Sequence, residues 1–177
     1  MHFAKISLPI FILFLFSAFE WQDSKDWIIS ESYTVMFETS YAEGQFSSIK
    51  GSIQFDEKNL ESSYFQVIID VSSISTGNSL KDKHAKKSKW FGVEEFPIIK
   101  FTSSSISQTV SGYEVAGILN MHGVRKKVSI PFTFTNNTFK GNFIVNRLDY
   151  KVGTDTGFSS IVGNDVKIDL VIPVVRN

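Results

Sequence analysis

The sequence predicts an all-β fold of eight antiparallel strands with one short crossing helix, on three observations. Apolar residues recur at every second position in separate stretches from Trp27 to the end, the period of a strand with one buried face. A single segment, residues 78–89, interrupts that rhythm with helix formers. Phenylalanine is also in excess: of 17, five fall in the first 19 residues and most of the remainder on one face of the alternating stretches.

Residues 1–18 stand apart from the rest. A weakly basic start containing Lys5 leads into the apolar run Ile6–Phe16, about half of the ~20 residues a membrane-spanning helix needs. Followed by Ser17 and Ala18, this run reads as a secretory signal peptide cut after Ala18. Residues 19–177 then form one domain, expected in the periplasm or outside the cell. The 18 basic and 18 acidic residues give no net charge, and a binder of nucleic acid normally carries a basic excess. The absence of cysteine excludes disulfides, a thiolate nucleophile and Cys-ligated metals.

Each strand follows from its alternation. Tyr33, Val35 and Phe37 open the series, followed by Phe46–Asp56 and by Phe65, Val67, Ile69 and Val71. After the helix come Ile98–Ser103, then Tyr113, Val115, Gly117 and Leu119. Val128, Ile130, Phe132 and Phe134 lead into a turn at Asn136-Asn137, beyond which stand Phe139, Gly141, Phe143 and Val145. The last strand carries Val166, Ile168, Leu170 and Ile172. Eight one-sided strands satisfy either a two-sheet sandwich or a closed barrel. Gly117 and Gly141 inside the strand patterns lean toward a barrel, which needs bends and close backbone approaches. Pro131 and Pro173 each lack a ladder donor, so they belong at edges, bulges or strand ends.

Between the third and fourth strands, Asn78–Lys89 contains no β-branched residue. Asn78 or Ser79 can cap a helix there, with Asp82 in its first turn and lysines near its end. Lys81, Lys83, Lys86, Lys87 and Lys89 form either a solvated face or a patch for an anion, whether a phosphate headgroup or a membrane surface.

Motifs for chemistry are sparse. No nucleophile elbow, zinc-protease helix or phosphate loop occurs. His84 and His122 remain the candidates for acid–base or metal chemistry, with Asp82 the nearest carboxylate. Their spacing follows no ligand pattern, so no catalytic residue, metal or cofactor is expected.

The order of motifs resembles the YceI-like family of secreted, lipocalin-like lipid-binding proteins. The resemblance rests on Tyr33–Phe37, Gly44–Phe46, Gly51–Asp56 and Ile69–Asn78, with its Ser-Ile-Ser-Thr-Gly-Asn ending. It continues through Lys81-Asp82-Lys83-His84 with Trp90-Phe91, then Phe96–Phe101, Val115–Lys126 around His122-Gly123-Val124, and Arg147-Leu148-Asp149-Tyr150. Departures at Ala85, Gly92, Asn120, Arg125 and Lys151, with Lys87 and Lys89, add positive charge near the helix and the His122 turn.

The resemblance implies a lipocalin-like eight-stranded barrel holding a long apolar chain, typically a polyisoprenoid. The inward residues expected to meet it are Phe37, Ile53, Phe55, Phe65, Val67, Ile69, Phe101, Val115, Leu119, Phe132, Phe143, Ile168 and Leu170. Lys81, His84 and Arg147 are the expected headgroup contacts. Partners are then a long-chain isoprenoid or other lipid and, transiently, a membrane. The competing readings are a structural or stress-related interaction module whose barrel is filled by its own side chains, and a His-dependent enzyme.

Overall fold

The computed structural model describes residues 26–154 and 157–177. The expected leader and the first residues of the 19–177 domain lie outside them. Eight antiparallel strands are formed, three of them interrupted. Strand β1 runs Asp26–Ile29 and resumes at Thr34–Glu38; β2 runs Glu43–Phe46 and resumes at Ile49–Gln54; β3 runs Tyr64–Asp70 and resumes at Ile74–Ser75. Strands β4 (Ile98–Thr109), β5 (Gly112–Met121), β6 (Val124–Thr135), β7 (Thr138–Asn146) and β8 (Asp165–Arg176) are continuous. Each strand pairs with its neighbour in sequence. Strand β8 returns to β1, with Trp27 opposite Arg176 and Phe37 opposite Ile168. The sheet is therefore a closed barrel and not a sandwich, with its shortest ladder between β6 and β7.

Both strand prolines stand where a ladder stops. Pro131 adjoins the last β6–β7 pair, Phe132 opposite Gly141, beyond which the two strands part. The parted ends are tied by an ion pair, Lys126 to Asp149 at 2.7 Å. Pro173 lies opposite the break in β1, where its carbonyl accepts from the Ser30 amide at 2.9 Å. A residue with no N–H disturbs a closed sheet least at such places. The break in β2 is patched by a side chain: the Tyr33 hydroxyl donates to the Ser47 carbonyl at 2.6 Å and accepts from the Ile49 amide at 3.2 Å.

Gly117 fulfils its expected part as a close approach. A Cβ there would lie 2.6 Å from Cζ of Phe101, and one at Gly44 would lie 2.6 Å from Cζ of Phe37. The two glycines give these inward rings room to lie against the barrel wall.

The helix α1 spans Ser79–Ala85, four residues shorter at its end than the sequence suggests. Asn78 is its cap, its side chain accepting from the Leu80 and Lys81 amides. The chain turns back after Ala85 because Phe91 N–H reaches the Ala85 carbonyl at 3.0 Å and Gly92, at φ +56°, bonds back to Lys87. Lys86–Lys89 thus lie in a turn and not on the helix.

Candidate functional site

The barrel encloses a cavity of about 780 Å3, inside the ~300–1,000 Å3 range of small-molecule sites. Strand alternation puts its wall in place: residues two apart on one strand face the same side. Phe37, Ile53, Phe65, Val67, Ile69, Phe101, Val115, Leu119, Phe132, Phe143, Ile168 and Leu170 all border it. Val35, Ile130, Phe139, Val145, Val166 and Ile172 border it as well. The same period could have found these six, since each lies two or four residues from a named member.

Phe55 is the exception among the expected wall residues. It lies just beyond the end of β2, 1% exposed, and does not border the cavity. Its ring meets those of Tyr113, Phe134, Phe139, Phe132 and Phe65 at centroid distances of 5.2, 5.2, 5.3, 5.7 and 6.0 Å. Trp27 closes over this cluster, its indole N–H donating to the Phe55 carbonyl at 3.0 Å. Alternation predicts that Phe55 points inward, but not that the bore ends there. The rings form a plug.

At the opposite end the wall is built by α1 and by connections. Thr39, Tyr41, Ala42, Thr76, Asn78, Leu80, Lys81, His84, Trp90, Phe91, Arg147, Val152 and Val162 border the cavity there. Most of these lie outside the alternating stretches, so no period points to them. Lys81 Nζ stands 4.6 Å from the centre of the Tyr41 ring, a cation–π contact from α1 to the β1–β2 turn. His84 lies one turn from Leu80 on the same helix and is largely exposed. Thr76 donates its amide and hydroxyl to Asp82 Oδ1, both at 2.7 Å. These bonds hold the Asp82 carboxyl below its usual range and moor the helix to the end of β3.

Arg147 is 3% exposed and holds the connection after β7 together. Its Nε donates to the Gly163 carbonyl at 2.6 Å and Nη1 to Val152 at 2.9 Å. Its Nη2 reaches the carbonyls of Ser159 and Thr154 and Oδ1 of Asn164, at 2.9, 3.1 and 3.1 Å. Trp90 stacks 5.5 Å from the guanidinium. The guanidinium is thus largely committed to the protein's own oxygens.

His122 does not border the cavity. Its Nδ1 meets the Tyr150 carbonyl at 3.1 Å, and its ring packs on Phe96 at 4.5 Å. It joins the β5–β6 turn, the segment before β4 and the turn after β7. Asp82, His84 and His122 are therefore not brought together. No group of three side chains able to hold a metal occurs among the described residues.

Comparison with known proteins agrees with this architecture. The YceI-like domain family model matches residues 23–174. A UPF0312 protein of Yersinia enterocolitica is 30% identical over 147 residues, covering 77% of this chain and 75% of the relative. Among solved structures, BcnA of Burkholderia cenocepacia superposes with a TM-score of 0.74 at 28% identity, over 81% of this chain and 96% of that one. A polyisoprenoid-binding domain from Saccharophagus degradans, implicated in plant cell wall breakdown, shares the fold. Its TM-score is 0.63 at 14% identity, over 87% of this chain and 99% of that one.

Proposed function

The chain belongs to the YceI-like domain family, and from that premise we propose that it is a carrier for one long apolar lipid, of polyisoprenoid type, held in the barrel. The observation that carries the reading is the bore itself: about 780 Å3 bounded almost throughout by aliphatic and aromatic side chains. At roughly 30 Å3 for each water-sized group, such a space takes on the order of 25 carbons. Each methylene moved out of water contributes about 0.8 kcal/mol, so a chain of that length binds tightly without hydrogen bonds along the wall. A barrel packed shut by its own rings would leave no such volume, which disfavours the filled-module reading. The name of the Saccharophagus degradans domain supports the choice of polyisoprenoid.

Under this reading the named wall residues contact the chain, and Lys81 and His84 stand where its polar end would emerge. Arg147 shapes that opening from beneath. The protein works outside the cytoplasm, with residues 1–18 as its export leader, and exchanges its cargo with a membrane. N-terminal sequencing of protein from its native host is expected to begin near Phe19. Solvent extraction of the same protein, read by mass spectrometry, is expected to yield about one long apolar lipid per chain. Folded protein that yields none, and takes up none when incubated with polyprenols, would overturn the carrier reading.

A further inference from the structure

We infer that the open end of the barrel is a docking surface for an anionic lipid bilayer; the inference rests on the carrier reading, since such a cargo resides in membranes. Three exposed apolar side chains lie along one side of this opening. Leu80 is 62% exposed, Ile161 49% and Tyr41 42%. They are linked in space: the Ser40 hydroxyl donates to the Ile161 carbonyl at 3.2 Å, and Lys81, next to Leu80, covers the ring of Tyr41. Leu80 and Tyr41 also border the cavity, so the apolar rim is continuous with the apolar bore. Exposed apolar side chains at the mouth of an apolar bore mark a candidate interaction surface.

Charge identifies the partner. Lys81, Lys83, Lys86, Lys87 and Lys89 stand beside this rim, with only Asp82 among them, and its carboxylate is occupied by Thr76. Elsewhere on the rim Glu38 and Asp169 are paired with Lys167, and Asp149 with Lys126. Among the described residues, Glu43, Glu94, Glu95 and Asp165 are exposed carboxylates at this end, and Asp70, which accepts from the Ser72 amide at 2.8 Å, faces Lys86. The far end carries no such lysine cluster among the described residues: Lys58, Lys140 and Arg176 stand there among Asp26, Asp56, Glu57, Glu61 and Glu114. Apolar tips flanked by lysines combine shallow insertion with attraction to anionic headgroups, the two contributions that hold a protein at a membrane surface. A second copy of the chain fits less well, because the lysine clusters would oppose each other.

The test is co-sedimentation of the purified protein with vesicles of phosphatidylcholine, with and without phosphatidylglycerol. Uptake of a polyprenol of about 25 carbons, the probe, is measured on the same protein in a vesicle-free sample. Lys83→Gln/Lys87→Gln and Ile161→Ser alter exposed residues that do not border the cavity; Val110→Ser alters the β4–β5 turn at the far end. The wild type and Val110→Ser are expected to pellet with the anionic vesicles only. Removing two lysines should weaken that binding about 25-fold, fivefold for each. Ile161→Ser should weaken it about tenfold, and all variants should keep probe uptake.

Failure to pellet with normal probe uptake would overturn the docking inference and leave the carrier standing. Equal pelleting with both vesicle types, or equal loss in Val110→Ser, would also overturn it. So would a self-association that Ile161→Ser abolishes. Pelleting without probe uptake would instead overturn the carrier reading.

Discussion

The two ends of the barrel are built on opposite principles. At the closed end, rings from β3, β5, β6 and β7 converge on Phe55, and Trp27 covers them; this end is buried and interlocked. At the open end the wall is a seven-residue helix and several connections, held by point contacts: Thr76 to Asp82, Lys81 to Tyr41, Arg147 to its ring of carbonyls. Aromatic packing gives area and rigidity, whereas moorings of this kind can be released singly. The difference assigns stability to one end and exchange to the other.

The sharpest way to break that comparison is Phe55→Ala. Removing the centre of the plug should cost about 3–5 kcal/mol in urea unfolding, because the surrounding rings cannot close the space. A loss below about 1 kcal/mol would mean that the plug is not the stabilising end. Next, Arg147→Met should cost about 2–3 kcal/mol by leaving buried carbonyls without a donor. Hydrogen exchange should localise the damage to residues 147–164 and leave β5 and the start of β6 protected.

Ile168→Trp puts bulk into the bore and not into packed atoms. It is expected to change stability by less than about 1 kcal/mol while lowering uptake of a long-chain probe at least tenfold. Tyr150→Phe is the opposite case. The Tyr150 hydroxyl is buried with no hydrogen-bond partner among the described residues, so its removal should raise stability by about 1 kcal/mol. Burial also holds that phenol above its usual range, so it carries no charge at neutral pH.

The smallest effect is one of pH. Asp82 titrates lower in the folded protein than its ordinary 3.8, because Thr76 donates two hydrogen bonds to the carboxylate. A depressed carboxyl contributes stability above the unfolded value and loses it as pH falls through the folded one. Below about pH 4, exchange of the α1 amides should accelerate before that of the strands; simultaneous loss would remove the distinction between the ends.

The same contrast explains what the sequence revealed. Period two placed the strands and the inward phase of residues such as Val67, Leu119 and Ile168, because a one-sided strand repeats its contacts at fixed spacing. The missing N–H of Pro131 and Pro173 assigns them the right kind of position without locating the ladder breaks they mark, since those depend on the facing strand. Alternation assigns Phe55 to the wall because it reports direction and not depth along the bore. Trp90, Tyr41, Ala42 and Val162 escape such a pattern because connections have no period. Composition over-extends the helix because the turn after Ala85 is fixed by Phe91 and Gly92, which lie beyond it.

If the bore is a site for a long apolar chain, affinity must depend on polyprenol length, and that dependence is its most direct test. Binding should strengthen with each added isoprene unit up to on the order of 25 carbons, then level off as the chain outgrows the cavity between plug and opening. Wall substitutions such as Ile168→Trp should move that plateau to shorter chains. Affinity independent of length, or a plateau unmoved by Ile168→Trp, would contradict it.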